Sequence, residues 1–234
     1  MAATLSVDDV LINDALEYRP APRSRADKEI ESLRRLAQKF STDSSELMHA
    51  TVETACELCD ADSAGITVLD TLPDGSEGLR WVATAGRIGE LGLQALPRKY
   101  SPCGTVLDRH APQLFSFPGR FFTYIEDSWD VVELLLVPWQ VGNSVRGTLW
   151  AVMQSEAKKF NREDLRILQT LVVFAGAAVA RNELEQSRRT QASAASAARV
   201  ANELAHAMNN PLQALPRKYS PCGTVLDRHA PQLF

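Results

Sequence analysis

A histidine near the end of a long helical pattern is the side chain in this sequence best suited to chemistry. On a helical wheel of about 100° per residue, His206 lies nearly opposite an apolar stripe, with Asn202 and Asn210 one turn away on either side. The stripe consists of small and medium apolar residues: Ala197, Val200, Ala201, Leu204 and Met208. The pattern therefore predicts an imidazole that faces solvent, where its unprotonated nitrogen is available for reaction, and an apolar face that suits a partner helix.

The residues on either side of His206 form a recognisable motif. Leu-Ala-His at residues 204–206, followed by Asn-Pro-Leu at residues 210–212, resembles the H-box of sensor histidine kinases. In that family the histidine accepts a phosphoryl group and the asparagine is linked to dephosphorylation. The resemblance therefore implies that His206 is a phosphoacceptor candidate and that Asn210 belongs to the same catalytic site.

One position of this motif departs from the family. Phosphoryl acceptance needs a carboxylate that holds the second imidazole nitrogen or takes up its proton, and the family usually carries Glu or Asp directly after the histidine. This chain has Ala207 there, and another carboxylate, Glu203, lies about 60° from His206 on the wheel. Two interpretations stay open: a working phosphoacceptor, and a vestigial H-box that serves only in dimerisation.

Motifs for handling ATP are absent from the sequence. It contains neither a P-loop nor the Asp-x-Gly-x-Gly of the kinase ATP-binding domain. We therefore do not expect this polypeptide to phosphorylate itself, and any part in phosphotransfer would require a separate kinase or response regulator as a partner.

The elements that would position these residues follow a definite order. Helical spacing of apolar residues begins at Asp27 and again near Ser44, and two hairpin patterns follow, separated by a loop-rich region at 86–131. The expected strands are residues 64–69, 79–85, 113–117, 132–137 and 145–153. Short helices are expected near 104–109 and 119–125, and a closing helix follows the capping run Asn161–Asp164. This order predicts an α+β fold with an antiparallel sheet, flanking helices and a long C-terminal helix.

Three segments of the predicted sheet domain carry a further pattern. They are Ser-Pro-Cys-Gly-Thr-Val-Leu-Asp at residues 101–108, Leu-Leu-Val-Pro at 135–138 with Gly-Thr-Leu-Trp at 147–150, and Phe-Asn-Arg-Glu-Asp-Leu at 160–165. In order and spacing they resemble the GAF sensory domain of bacterial sensor kinases, across about residues 40–182. The resemblance implies an antiparallel sheet with helices packed against it and a small-molecule pocket beneath the middle loops.

Five side chains of this domain are candidate ligand-binding residues: Trp81, Tyr100, Cys103, Phe122 and Trp150. Aromatic side chains also fill the cores of small domains, so a purely structural role is the alternative. Cys103 stands at a predicted helix start, where the pKa of a thiol can fall, so a redox or covalent-chromophore role is a minor alternative, as is haem ligation by His110. The Asn-Lys-x-Phe-Asp-Glu signature of cyclic-nucleotide-binding GAF domains is absent, and no ligand or cofactor is identified.

Composition limits the classes of partner. The 234 residues are 45% hydrophobic and 23% charged, which supports a sizeable core, and the net charge of −4 gives no reason to expect nucleic acid. No run approaches about 18 apolar residues, so no membrane span is expected, and the N-terminus does not resemble an export signal. Cys56 and Cys59 form a C-x-x-C without a second pair, so we expect packed helix residues and no metal site. A reduced cytoplasmic protein is the simplest interpretation.

The chain divides into four predicted segments. Residues 1–26 are expected to form a poorly ordered lead-in with one short helix near Val7–Leu16, and residues 27–182 a GAF-like domain with its preceding helix. Residues 183–211 form a signalling helix with the H-box. This helix is polar and rich in Ala and Ser, so it needs a partner, and a parallel homodimer is the natural hypothesis. The alternative is a frayed, exposed helix.

The fourth segment, residues 212–234, repeats residues 93–115 without a single change over 23 positions. Structural repeats diverge and stand in tandem, so this duplication is not a solenoid. We attribute it to recombination or to sequence misassembly at the shared Leu-Gln-Ala-Leu, which resequencing across residues 215–216 would test. The copy lacks the strands against which the first copy would pack, so we expect a loosely ordered tail with a short helix near 224–228.

These patterns together predict a cytoplasmic signal-sensing module of the two-component type. A GAF small-molecule sensor would be coupled through a helix to a truncated histidine phosphoacceptor segment. The alternatives are a ligand-binding or dimerisation module without phosphotransfer, and a non-functional fragment of a sensor histidine kinase.

Overall fold

A computed structural model describes residues 5–20, 26–41, 43–88, 95–123, 125 and 129–213 of the chain. It contains two compact units, Met1–Leu184 and Glu185–Phe234. The duplicated tail from position 214 onward, with its expected helix near 224–228, lies outside the described residues. Of the helices in the described part of the chain, none combines the length and the apolar character that a membrane crossing needs.

The first unit is built on a six-stranded antiparallel sheet. Its strands are Ser63–Thr71 (β1), Glu77–Gly86 (β2), Ala95–Pro97 (β3), Gln113–Ser116 (β4), Glu133–Val141 (β5) and Ser144–Met153 (β6), in the spatial order β3-β2-β1-β6-β5-β4. The helices are Ala15–Tyr18 (α1), Ala26–Gln38 (α2), Ser44–Cys59 (α3), Pro102–Arg109 (α4) and Arg162–Gln213 (α5), and α5 continues into the second unit. The predicted α+β fold class is confirmed.

Two short elements differ from the expectation. Ala95–Pro97 forms an edge strand on β2 that was not predicted, because three residues are too few to show a period. The helix expected near 119–125 is only a 3-10 turn at Pro118–Arg120, which follows Phe117 in the left-handed conformation with φ of 46°. The chain leaves this turn through another, in which the Ile125 N–H donates to the Phe122 carbonyl at 2.9 Å.

Alternation along the central strands separates two hydrophobic cores on the two faces of the sheet. In β5, Leu135 and Val137 join one core, whereas Leu134 and Leu136 join the other. The first, here called the helix-side core, also contains the buried apolar residues of α2, α3 and α5. The second, here called the loop-side core, contains those of α4 and of the chain between β4 and β5.

One extra residue in β2 changes which core its side chains join. Ile66 of β1 pairs with Ala83, and the next residue, Thr67, pairs with Trp81, so Val82 has no partner position of its own. Such a bulge reverses the alternation along the strand. As a result Ala83 belongs to the helix-side core, whereas Trp81, two residues away, belongs to the loop-side core.

The expectation of a poorly ordered lead-in is wrong for residues 5–20. Leu11 pairs with Phe115 of β4 through an isolated bridge, and the side chain of Val10 is fully buried. Instead of one helix near Val7–Leu16, this segment forms a 3-10 turn and the short α1, with extended backbone between them. Its few apolar residues are ordered because they cover the edge strand β4.

A buried carboxylate fixes the end of the N-terminal segment. Glu133, whose side chain is 1% exposed, accepts two hydrogen bonds from the Arg19 guanidinium at 2.8 and 2.9 Å. It also accepts the backbone N–H of Phe160 at 3.0 Å, and the Lys159 ammonium lies 3.6 Å away. Arg19 in turn donates to the Phe160 carbonyl at 2.7 Å. The cluster therefore joins the lead-in, β5 and the approach to α5.

Helix α5 begins with the reciprocal cap that the sequence predicts. The Asn161 Oδ1 atom accepts the backbone N–H groups of Glu163 and Asp164 at 2.8 and 3.4 Å. Asp164 Oδ2 accepts the N–H of Asn161 at 3.0 Å. Backbone N–H groups at the start of the helix, which would otherwise lack acceptors, are thus paired at the point where the chain leaves the sheet.

The second unit contains the C-terminal part of α5. From Glu185 to His206 every side chain is exposed, including Val200 and Leu204 of the predicted apolar stripe, and no described residue covers them. Glu203 lies 3.7 Å from Arg199, so this carboxylate is paired with a neighbour on its own helix. A helix of this length without a packed face is marginal alone and gains stability from a partner.

Candidate ligand cavity

An apolar cavity of about 40 Å³ lies within the loop-side core. Its walls come from β2, β3, β5 and β6, from α4, and from the chain segment that precedes β5. They consist of apolar side chains and the Cys103 thiol, and no charged side chain in the described part of the chain lines them. Because an ion would have to lose its hydration without compensation, this cavity suits an uncharged, apolar group.

Three tryptophans form the aromatic side of the cavity. The rings of Trp81 and Trp150 are 5.2 Å apart between centroids, and those of Trp81 and Trp129 are 6.0 Å apart. Trp150 lies across Gly65, its partner in the β1–β6 pairing, where a Cβ atom would overlap the ring. Glycine at this position therefore permits the close approach of the indole to β1.

The structure brings three of the five predicted ligand-binding residues together. Trp81, Cys103 and Trp150 line the cavity. Phe122 is buried in the same core but packs against Phe115, with ring centroids 5.6 Å apart, and does not line the cavity.

Tyr100 lies outside the cavity, and its prediction as a lining residue is wrong. The residue is 71% exposed, has a φ of 62° and lies beneath the Lys99 ammonium at 5.0 Å. The next residue, Ser101, is buried and caps α4 by accepting the N–H of Gly104 at 2.9 Å. Because Ser101 turns inward to make the cap, the preceding aromatic ring is left at the surface.

Burial decides the chemistry of Cys103. It raises the pKa of this thiol to about 11, although weak hydrogen bonding with the Thr148 and Thr67 hydroxyls acts in the opposite direction. The expectation that a helix start lowers this pKa is therefore wrong, since desolvation outweighs the helix dipole at this site. The thiol stays protonated at neutral pH, which argues against a redox or nucleophilic role.

Helix α4, which carries Cys103, is held over the sheet by an exposed arginine. Arg98 contacts Glu77 at 2.5 Å and Asp108 at 2.6 Å, so it joins β2 to the last turn of the helix. Pro102 and Gly104 complete the buried first turn beneath the Ser101 cap. The sequence motif at 101–108 is thus a device that positions one wall of the cavity.

An open polar groove of about 420 Å³ adjoins the cavity. Ile125 and Val131 line both spaces, so these two side chains separate the apolar cavity from the groove. Gln154, directly after β6, lines the groove, and its buried Oε1 atom has no hydrogen-bond partner in the described part of the chain. The sequence did not predict Ile125, Val131, Gln154 or Trp129 as site residues. They lie in irregular segments, where no periodic pattern of apolar residues indicates which side chains face inward.

The other residues singled out in the sequence lie in α5, at the end of α4 and in α3. His206 is exposed on α5, and the helix backbone includes Asn210, whose side chain lies outside the described residues. His110, the minor haem candidate, is an exposed residue that ends α4. Cys56 and Cys59 are reduced cysteines on packed α3, and burial raises the pKa of Cys56 to about 11. Among the described residues no group of His, Cys, Asp and Glu side chains is arranged to hold a metal.

A sheet with helices on one face and an apolar, loop-covered cavity on the other defines a sensory type of domain. The family model of the GAF domain matches residues 43–179, and the chain therefore belongs to the GAF domain family. GAF domains are small-molecule-sensing modules of signalling proteins. The predicted resemblance is confirmed for the sheet domain, whereas the H-box segment lies outside the matched residues.

Solved structures show the same fold. A GAF domain from an Acinetobacter phosphoenolpyruvate-protein phosphotransferase is 18% identical with a TM-score of 0.58, covering 68% of this chain and 96% of that one. A phycocyanobilin-bound GAF domain of a cyanobacterial phytochrome is 16% identical with a TM-score of 0.54, and the match covers 67% of this chain and 96% of that one. A GAF domain assigned to a sensor histidine kinase of Pseudomonas syringae pv. tomato is 17% identical with a TM-score of 0.51, covering 70% and 94%. A search of curated protein sequences found no match.

Proposed function

We propose that this protein is a cytoplasmic sensory module of the two-component type. A small molecule would bind in the apolar cavity, and the signal would pass through α5 to His206, which would accept a phosphoryl group from a separate kinase catalytic domain. The GAF family membership supports the sensory part, and the H-box resemblance supports the phosphoacceptor part.

One observation carries this proposal: the strand that lines the cavity leads directly into the helix that bears His206. Trp150 and Val152 of β6 face the cavity, whereas Ala151 and Met153 of the same strand pack in the helix-side core. After β6 only eight residues precede the first residue of α5, Arg162. A ligand that displaces Trp150 would therefore change the packing beneath α5, since packed cores transmit small shifts.

Dimerisation through α5 is the second part of the proposal. Val200 and Leu204 are 49% and 59% exposed in the single chain, and they lie on one stripe of the helix. A parallel partner helix would cover this stripe and leave His206 accessible. Sedimentation of the wild-type chain should show a dimer, and Leu204→Glu should shift it to monomer while Ile30→Glu, a substitution on exposed α2, should not.

Phosphotransfer is tested by incubating the chain with ATP and a separate histidine kinase catalytic domain. We expect an acid-labile label that disappears in His206→Gln and persists in His110→Gln, a matched exposed histidine. Because Ala207 replaces the family's acid, Ala207→Glu should increase the label. The absence of label from both the wild type and Ala207→Glu would reject phosphotransfer and leave a ligand-binding or dimerisation module.

A further inference from the structure

The two spaces on the loop side of the sheet indicate the class of ligand, an inference that rests on the proposed sensory function. We propose that the ligand is a small uncharged molecule with a short aliphatic end and a hydrogen-bond-donating head. The aliphatic end occupies the apolar cavity, and the head enters the groove and donates to Gln154. Ile125 and Val131 are the gate between the two positions.

The size of the cavity limits the inner end of the ligand. A water molecule needs at least about 10–15 Å³ of such space, so 40 Å³ holds a group of about three heavy atoms, such as an isopropyl group. A bare aromatic ring needs a larger space, comparable to an engineered cavity of about 150 Å³ that binds benzene. The apolar walls exclude an ionised end, because nothing there would replace its hydration.

Ile125 and Val131 separate the inner cavity from a much larger polar space. Ile125 is 8% exposed and contacts both spaces, as does the partly buried Val131. A molecule longer than the cavity can therefore extend past these two side chains into the groove. Opening this gate joins the cavity of about 40 Å³ to the groove of about 420 Å³.

Gln154 defines what the outer end must offer. Its Nε2 atom donates to the Trp129 carbonyl at 2.6 Å, which fixes the orientation of the amide and leaves Oε1 as an acceptor with no partner among the described residues. A buried acceptor without a donor is unfavourable in the ligand-free state, and a ligand N–H or O–H would satisfy it. Trp129 also lines the inner cavity, so this amide connects the head position with the wall of the aliphatic site.

The gate is tested through the thiol on the cavity wall. The rate at which methyl methanethiosulfonate labels Cys103 is measured in a Cys56→Ser/Cys222→Ser background, since tryptic peptides 100–109 and 219–228 are otherwise identical in sequence. We expect Ile125→Ala to raise this rate by about tenfold, because labelling follows the population of the open state. Val131→Ala should act in the same direction, and Ile30→Ala, a matched substitution at an exposed site, should leave the rate unchanged. Circular dichroism verifies that each variant is folded.

The ligand class is tested with two fragments that share an isopropyl group and an acyl group. Isobutyramide has a donating head, whereas methyl isobutyrate has none. We expect isobutyramide to protect Cys103 at about fivefold lower concentration, the worth of one hydrogen bond. Gln154→Leu should remove this difference, because leucine offers the ligand no acceptor.

Each outcome has a distinct meaning. If Cys103 is labelled no faster in Ile125→Ala and Val131→Ala than in Ile30→Ala, the gate is rejected. Equal protection by the two fragments rejects the role of Gln154, and the absence of protection in the opened variants rejects the ligand class. A failure of the wider proposal would be seen separately, as missing phosphoryl label on His206 while protection of Cys103 is still observed.

Discussion

The buried cluster around Glu133 predicts a large effect from a substitution in the N-terminal segment. Arg19→Ala removes both hydrogen bonds to the Glu133 carboxylate and the one to the Phe160 carbonyl. Removing one partner of a buried ion pair typically costs about 3–5 kcal/mol, because the other charge stays buried. Arg19 is 24% exposed and Lys159 remains 3.6 Å from the carboxylate, so we expect a smaller loss, of about 2–3 kcal/mol.

Urea unfolding followed by tryptophan fluorescence measures this loss, since all four tryptophans are buried in the first unit. The matched control is Arg34→Ala on exposed α2, whose ion pair with Glu31 at 3.9 Å should contribute less than about 0.5 kcal/mol. Adding Glu133→Gln to Arg19→Ala removes the uncompensated charge and should restore about 1 kcal/mol or more. Equal midpoints for Arg19→Ala and Arg34→Ala would show that the lead-in is not held by this cluster.

Three further predictions concern the cavity wall and the start of α5. Gly65→Ala places a methyl group against the Trp150 ring and should destabilise the first unit by about 1–3 kcal/mol, with altered tryptophan fluorescence, in the same urea assay. Asn161→Ala removes the cap of α5 and should cost about 1–2 kcal/mol in thermal unfolding, whereas Asn143→Ala in an exposed turn should have little effect. The raised pKa of Cys103, about 11 against an ordinary value of 9.0, means that the folded state keeps this proton longer than the unfolded state. The stability linked to this proton is present below about pH 9 and is lost as the pH rises towards 11. Urea midpoints should therefore fall less over this range in Cys103→Ala than in the wild type. The same pH dependence in both proteins would contradict the burial argument.

Much of the sheet domain could be predicted because its signals are local. The capping run at 161–164 and the turn at Gly142 and Asn143 mark the ends of α5, β5 and β6 within a few residues. Short apolar runs joined by turn signals placed β1, β2, β5 and β6 within a few residues. Such signals depend only on neighbours in sequence, so they survive without knowledge of the fold.

The failures involve contacts between distant parts of the chain. Residues 5–20 are polar enough to appear unstructured, and they are ordered by pairing with β4, about one hundred positions later in the sequence. Tyr100 was expected to line the cavity and Trp129 was missed, both for a related reason. Both lie in irregular segments, where the direction of a side chain follows from the cap at Ser101 or from the packing of Trp81, and not from a period.

The extra residue at Val82 divides β2 into two halves that can change independently. Leu79 and Trp81 before it belong to the loop-side core, and Trp81 lines the cavity, whereas Ala83 belongs to the helix-side core. A substitution in the first half can therefore alter the cavity wall while the residues that pack beneath the helices stay unchanged. Deleting Val82 would be a different kind of change, because it would make Trp81 and Ala83 neighbours in a regular ladder with β1 and leave each on the face it already occupies.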